Sequence, residues 1–403
     1  MTRIEKVINT EGHLIDSGIM RRIFDTIISD GGSFDIIDFQ IGRNNDEFSR
    51  ASLKISSPDV VIMNTILLKL STLGCYVDKE EEVVLEEAPA DGVAPPDFYS
   101  TTNQETSIRH DGRRFEVENL RMDGVIVVTG NRTTVKRFRN VKKGDRIVSG
   151  LSGIRVKPEF VERDRDEFGF MSGDVSSERK VMLAVNRAAK LIRNGNKKIA
   201  AVAGPVVVHT GGATDLARLI KHGYVHALLS GNALAVHDIE AALYGTSLGT
   251  NLKTGKPVEM GHRNHLRAIN DVRRAGSIEV LVNEGTLTSG VMYEVVKSDI
   301  PVSLAGSLRD DGPLPDTITD MNMAQDDHAR ILKGVDIVLM LSTMLHSIAV
   351  GNMIPASVLT ICVDINPSVV TKLKDRGSQQ TIGVVTDVGL FLHLLAEQLI
   401  DRE

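Results

Sequence analysis

The chain has 403 residues, 42% of them hydrophobic and 25% charged, with a formal net charge of −6. That length accommodates two or three domains and a sizeable core. The acidic balance argues against nucleic acid as the main partner, and no uncharged apolar stretch is long enough to span a bilayer. The opening M-T-R-I-E-K-V-I lacks the apolar segment of a signal peptide. Cys75 and Cys362 each sit in an apolar run, so two buried thiols in a reducing, cytoplasmic compartment are expected.

Residues 1–90 read as a ferredoxin-like β-α-β-β-α-β module. A strand over Ile4–His13 leads to a helix capped by Asp16 or Ser17, with Ile19, Ile23, Phe24, Ile27 and Ile28 on its apolar face. Strands Phe34–Ile41 and Phe48–Ile55 flank the polar cluster Arg43, Asn44, Asn45, Asp46 and Glu47. That cluster reads as a solvated hairpin loop first and a substrate-contacting loop second. A helix opened by Ser57-Pro58 closes at Gly74, and a last strand covers Cys75–Leu85. Such modules serve ligand binding or self-association more than chemistry, and a homo-oligomer is the expected assembly.

A proline-rich linker near Ala88–Pro96 introduces residues 91–170, which read as a small β domain of short runs between turns. Its basic run, Lys136, Arg137, Arg139, Lys142 and Lys143, is expected to be a solvated face. Glu159–Phe170 is charged enough for a hinge, and a helix from Ser177 or Glu178 stops at Asn194-Gly195.

Residues 171–403 alternate strand and helix, the pattern of a parallel sheet covered on both faces. The run Ile199–Val208 reads as a buried strand. It is followed by His209, Thr210, Gly211 and Gly212, and then by a helix. A glycine pair before a helix N-terminus lets backbone approach an anion, so these four residues form a candidate phosphate cradle. Further strands are expected at Val225–Leu229, Ile278–Val282, Pro301–Ala305, Val335–Leu341, Val358–Val363 and Thr381–Val385. Small, hydroxyl and acidic residues stand just past most of them, where an α/β sheet binds ligands. Asp364 could accept both hydroxyls of a ribose, or it could cap a helix, as could Asn366; Asp387 also fits a cap. Together these tips favour a dinucleotide site. No metal site is expected, because His262 and His265 lie three apart without a completing carboxylate or cysteine at ligand spacing. Walker-type and C-x-x-C motifs are absent from the sequence.

Five segments bear on family. H-T-G-G-A-T-D-L-A-R-L-I, L-L-S-G-N-A-L-A-V-H-D-I-E, L-A-G-S-L-R-D-D-G-P-L-P-D, L-S-T-M-L-H-S-I-A-V-G-N-M-I-P and D-I-N-P-S-V-V-T-K-L-K-D-R-G-S occur in this order. Together with G-H-L-I-D-S-G-I-M and D-F-Q-I-G-R-N-N-D near the start, they resemble the family of the lysine-oxoglutarate reductase/saccharopine dehydrogenase conserved region. The resemblance covers nearly the whole chain. Archaeal members of that family are NAD-dependent ornithine cyclodeaminases. It implies a Rossmann-like carboxyl-terminal domain similar to deoxyhypusine synthase, and NAD as cofactor. It also implies NAD contacts from Asn232, Ala233, Asp310, Thr343, Met344, Leu345, His346, Asp364, Asp387 and Val388. The implied reaction turns L-ornithine into L-proline and ammonia, with hydride leaving and returning. For that chemistry Arg309 could clamp the α-carboxylate, and Asp238, Glu284 or Asp311 could accept protons, although each also fits a cap or a surface charge. The alternatives are a dehydrogenase of lysine degradation and a nucleotide-sensing regulatory protein without turnover.

Overall fold

The computed structural model describes all residues except 1–3, 16–17, 43–46, 78–80, 158–177, 194–196, 248–249, 252–255, 257, 259–261, 377–380 and 402–403. The Asp16 or Ser17 cap, the polar cluster at 43–46, the charged hinge, Ser177 and the Asn194-Gly195 stop therefore lie outside the described residues. By internal contacts the chain divides into two units, Met1–Arg165 with Asn352–Ser357, and Asp166–Gly351 with Val358–Glu403.

The first unit opens with β1 (Ile4–Gly12), α1 (Ile19–Ser29), β2 (Ser33–Gln40), β3 (Ser49–Ser57) and α2 (Val60–Ser71). The three strands form an antiparallel sheet of order β1-β3-β2. Ile23 and Ile27 of α1 and Ile66 and Leu70 of α2 bury their side chains in one core with Leu53 and Ile55 of β3. Asp59 caps α2 by accepting from the Ile62 N–H at 2.8 Å, taking the place expected of Ser57. Among the described residues of the expected fourth strand, Cys75–Leu85, the first module's sheet gains a single bridge between Asn9 and Tyr76. The later residues of that segment instead enter β4 (Val84–Glu87), which pairs with a strand of another sheet. That sheet has the order β4-β9-β7-β8, from β7 (Val125–Thr129), β8 (Arg132–Lys136) and β9 (Arg146–Ser149). A third, of order β10-β5-β6, comprises β5 (Glu105–His110), β6 (Arg113–Glu116) and β10 (Ile154–Lys157). Ile108, Ile126, Val148 and Val156 share their core.

The second unit begins with α3 (Glu178–Arg193), β11 (Ile199–Ala203), α4 (Val206–His209), α5 (Ala213–Lys221), β12 (Ala227–Gly231) and α6 (Asn232–Tyr244). There follow β13 (Thr246–Ser247), β14 (Thr250–Asn251), α7 (His262–Ala275), α8 (Ile278–Asn283), α9 (Val291–Lys297), β15 (Val302–Ala305) and β16 (Thr317–Ile318). The chain closes through α10 (Met321–Ile331), β17 (Ile337–Leu341), α11 (Met344–Met353), β18 (Leu359–Asp364), α12 (Pro367–Arg376), β19 (Thr381–Val385) and α13 (Val388–Ala396).

Seven of these strands form one wholly parallel sheet, in the order β16-β15-β12-β11-β17-β18-β19, and β13 pairs antiparallel with β14. From β11 the chain moves outward through β12, β15 and β16, then returns to place β17 on the other flank of β11. The strand order therefore reverses between β11 and β17, which is where doubly wound sheets open a ligand crevice. The strand ends are level, Ala203 being paired with both Ser230 and Leu341, and Leu341 with Val363. Continuous burial of β11 and β17 explains their uninterrupted apolar sequences.

Two strands differ from expectation. The run expected to extend to Val208 leaves the sheet after Ala203, because Gly204-Pro205 ends it. Pro205 has φ −61° and stands at the start of α4, where its missing N–H costs nothing. Ile278–Val282 is the helix α8. Ser277 accepts from the Val280 N–H at 3.1 Å and Asp316 from the Ile278 N–H at 3.0 Å, while Ile278, Leu281 and Val282 form its buried face. Helical spacing and two end caps outweigh the β-branched composition.

Phe391 of α13 is fully buried in the core of the second unit. Phe391→Ala should destabilise that unit by about 3–5 kcal/mol, read as a lower midpoint in chemical denaturation.

Candidate active site

At the reversal of strand order two backbone segments come close together. A Cβ on Gly204 would lie 2.7 Å from the Ser342 carbonyl oxygen, so the two tips meet only because residue 204 has no side chain. Ser342 itself has φ +48°, a left-handed conformation that costs a non-glycine residue on the order of 1–3 kcal/mol. The neighbouring loops converge in the same way. A Cβ on Gly231, at the end of β12, would lie 3.0 Å from Cε1 of His346 on α11. One on Gly389 would lie 2.5 Å from the Thr210 carbonyl oxygen and 3.0 Å from Oδ1 of Asp387.

The structure brings most of the expected ligand-binding residues to this edge. His209 and Thr210 end the turn of α4, and Gly211, with φ +81°, leads into Gly212 and α5. The glycine pair thus follows a helical turn, one step removed from the strand tip the sequence suggested. Thr343, Met344, Leu345 and His346 follow β17, and Met344 and Leu345 are 42% and 75% exposed. Apolar side chains left in water at a strand tip are suited to being covered by a ligand. Asp364 ends β18, and its Oδ1 accepts from the Asn366 N–H at 2.8 Å. Of the two caps weighed for α12, Asn366 supplies it, accepting from the Ser368 N–H at 3.0 Å. Asp387 caps α13 through the Leu390 N–H at 3.0 Å. Val388 is buried in the core, so only its backbone can face a ligand. Ala233 lies in the first turn of α6. The Asn232 carboxamide oxygen ties the β12 tip to the next loop, accepting from the Leu314 N–H at 3.0 Å and the Thr317 hydroxyl at 2.9 Å. Asp310 closes its own loop by accepting from the Ser307 N–H at 2.7 Å.

The four candidate catalytic residues fare unequally. Arg309 and Asp311 lie on the exposed loop after β15. Glu284, expected past a strand tip, is the exposed C-terminal cap of α8, because that segment is helical. Asp238 lies in a different setting. It is 1% exposed, and its two oxygens accept from the Val291 and Met292 N–H groups at 2.9 and 2.8 Å. Its carboxylate therefore serves the N-terminus of α9, and burial pushes its pKa up to about 6 against the pull of those two bonds.

Sequence spacing missed the neighbours of Asp238. His237 and Glu240 stand one turn apart on α6, both buried, and His265 of α7 faces them. Glu240 Oε2 lies 3.4 Å from His237 Nδ1 and 3.6 Å from His265 Nδ1. The Thr246 hydroxyl donates to Glu240 Oε1 at 2.8 Å and receives the Asn264 amide at 3.1 Å. The His209 ring packs edge-on against His237, with centroids 4.8 Å apart. His265 thus does meet a carboxylate and a second histidine, contrary to the expectation from spacing, and one donor atom of each of the three lies within 4.8 Å of the others. A group of that composition could hold a cation. The H-D-I-E run was the available signal, since positions three apart share a helix face whereas Asp238 points elsewhere.

The protein offers what a dinucleotide requires. Glycines stand where backbones crowd, acidic residues end β18 and lie past β19, and His346 Nδ1 is buried with no hydrogen-bond partner among the described residues. Burial also lowers the His346 pKa.

Fold and site together define a Rossmann-fold protein with its ligand crevice at the reversal of strand order. Residues 184–395 match the family described as arginine dihydrolase ArgZ-like, C-terminal, Rossmann fold; residues 105–185 match its first region, and residues 5–104 match the LOR/SDH bifunctional enzyme conserved region. The chain is 51% identical to an ornithine cyclodeaminase of Methanocaldococcus jannaschii, over 97% of this chain and 95% of the relative. It is also 51% identical to the bifunctional arginine dihydrolase/ornithine cyclodeaminase AgrE of Nostoc, over 98% of this chain and 58% of that protein. Among solved structures, apo ArgZ superposes with a TM-score of 0.86 at 44% identity, over all of this chain and 59% of that one. The ternary complex of AgrE with ornithine and NAD+ has a TM-score of 0.55 at 47% identity, over 99% of this chain and 58% of that one. The chain belongs to this LOR/SDH and ArgZ-like family, and it spans somewhat under three fifths of the length of the bifunctional members.

Because the Asp238 pKa is raised on folding, its contribution to stability is full below about pH 4 and is lost as pH rises towards 6. Relative to Asp238→Asn, the parent should lose stability across that interval and then run level, as followed by denaturation midpoints between pH 4 and 8.

Proposed function

We propose that this protein converts L-ornithine into L-proline and ammonia with NAD as a retained cofactor. The observation that carries the reading is the polar crevice at the β11–β17 reversal, in a chain 47% identical to the part of AgrE that it matches. Overall, the bond from the α-carbon to its amino nitrogen is replaced by one to the δ-nitrogen, and the α-nitrogen leaves as ammonia. NAD, when bound, accepts a hydride and gives it back, so the reaction has no net redox change.

The residues divide this work by position. His209, Thr210, Gly211 and Gly212 offer backbone to phosphate, and Asp364 offers a carboxylate to a ribose. Asn232, Ala233, Asp310, Thr343, Met344, Leu345, His346, Asp387 and Val388 complete the dinucleotide's surroundings. Arg309 holds the substrate carboxylate, and Asp311 accepts a proton. Asp364 ends β18, which β11 and β17 separate from β12, and the helix after β12 carries His237 and Glu240. The acidic end of the crevice thus suits the ribose, and the histidine side suits the amines of the substrate. The proposal extends to a cytoplasmic homo-oligomer in proline formation, for which two buried free thiols are suitable.

Incubated with ornithine and NAD, the protein should form proline and ammonia in equal amounts without accumulating NADH, and omitting NAD should abolish both products. Net NADH formed from saccharopine, with no proline from ornithine, would instead identify a dehydrogenase. Asp364→Ala should weaken NAD binding about tenfold or more, as measured by calorimetry.

A further inference from the structure

We propose that Glu240, His265 and Asp311 form a proton relay from a buried point on α6 to solvent, serving the substrate's ammonium groups; this rests on the ornithine reading. Glu240 is fully buried, and Asp311 is 68% exposed on the loop after β15. His265 lies between them, its Nδ1 3.6 Å from Glu240 Oε2 and its Nε2 3.8 Å from Asp311 Oδ2. An imidazole that presents one nitrogen to each of two carboxylates can take a proton at one end and release another at the far end. Both separations exceed a hydrogen bond, and His265 Nδ1 is a buried atom with no hydrogen-bond partner among the described residues. Contacts of this kind tighten when substrate enters.

The surroundings fix Glu240 for that task. Thr246 holds Oε1 at 2.8 Å, which turns Oε2 toward the two imidazoles. On the same helix, His237 flanks Oε2 and Asp238 is committed to α9. From the end of α4 comes His209, whose Nδ1 lies 2.7 Å from the Ser247 hydroxyl of β13, and from α7 come Asn264 and His265. Helices α4, α6 and α7 and the loop after β15 thus come together around the Glu240 and His265 side chains. In each transfer an N–H bond of the substrate ammonium breaks and an O–H bond forms at Glu240. Glu240 then protonates His265 Nδ1, and the Nε2 proton passes to Asp311 and to water. Run in reverse, the chain protonates the departing nitrogen, and no electrons change owner.

The test uses the full chain with ornithine and NAD. Glu240→Gln should lower kcat by ~100-fold or more while NAD affinity stays at the parent value. His265→Ala should lose a similar factor and regain activity with added imidazole, in proportion to the neutral imidazole present. Asp311→Asn should shift the acidic limb of the kcat–pH profile. The relay is overturned if Glu240→Gln and His265→Ala stay within about twofold of the parent, or if imidazole restores nothing to His265→Ala. It is equally overturned if chelation abolishes parent activity and zinc restores it, since the cluster would then be a metal site. A parent that forms no proline would overturn the ornithine reading and the relay with it, whereas an active parent with unaffected variants overturns the relay alone.

Discussion

The pairing of β11 with β17 is the constraint on which the second unit depends. These strands are far apart in sequence, yet they lie side by side in parallel, with Ala203 level with Leu341. Everything added before β17 lies on one flank of β11, and everything added after it on the other. A crevice must open where the two series part, and Gly204 against Ser342 sets how closely its walls meet. The left-handed Ser342 is a local cost that the surrounding sheet sustains, as is common where function needs a fixed backbone.

Two acidic residues of α6 illustrate how burial sorts charge. Asp238 and Glu240 are both taken out of water, which is tolerable only if each finds donors. Asp238 finds them in the N-terminal backbone of α9 and becomes a structural cap. Glu240 finds a hydroxyl and two imidazoles, groups that can exchange protons. The first solution is rigid, because backbone N–H groups do not titrate. The second surrounds the carboxylate with side chains that can titrate.

Legibility in the sequence followed the length and regularity of each pattern. The long amphipathic helices and the doubly covered strands of the second unit were readable, since a strand buried on both faces needs an unbroken apolar run. Short apolar runs were ambiguous, as Ile278–Val282 shows: its side chains suit either state, and the caps from Ser277 and from Asp316 decided it. Asp316 is distant in sequence, so nothing local announces it. The fourth strand of the first module failed for a related reason, since Val84–Glu87 found its partner in β9. Within the site, Asp364 and His346 could be placed by their position after apolar runs. Glu240 was not singled out in the sequence, because local sequence does not say which face of a helix meets which neighbour.

The sequence by itself determined the alternation of strands and helices, the polar residues at the strand ends and the family to which the chain belongs. These depend on composition, on period and on motifs that are contiguous along the chain. Tertiary structure alone decided the strand order, the turn inserted before the glycine pair, and the meeting of His237, Glu240 and His265 with Asp311 nearby. Those outcomes depend on contacts between segments remote in sequence, where packing and hydrogen bonding choose among partners that local propensity treats alike.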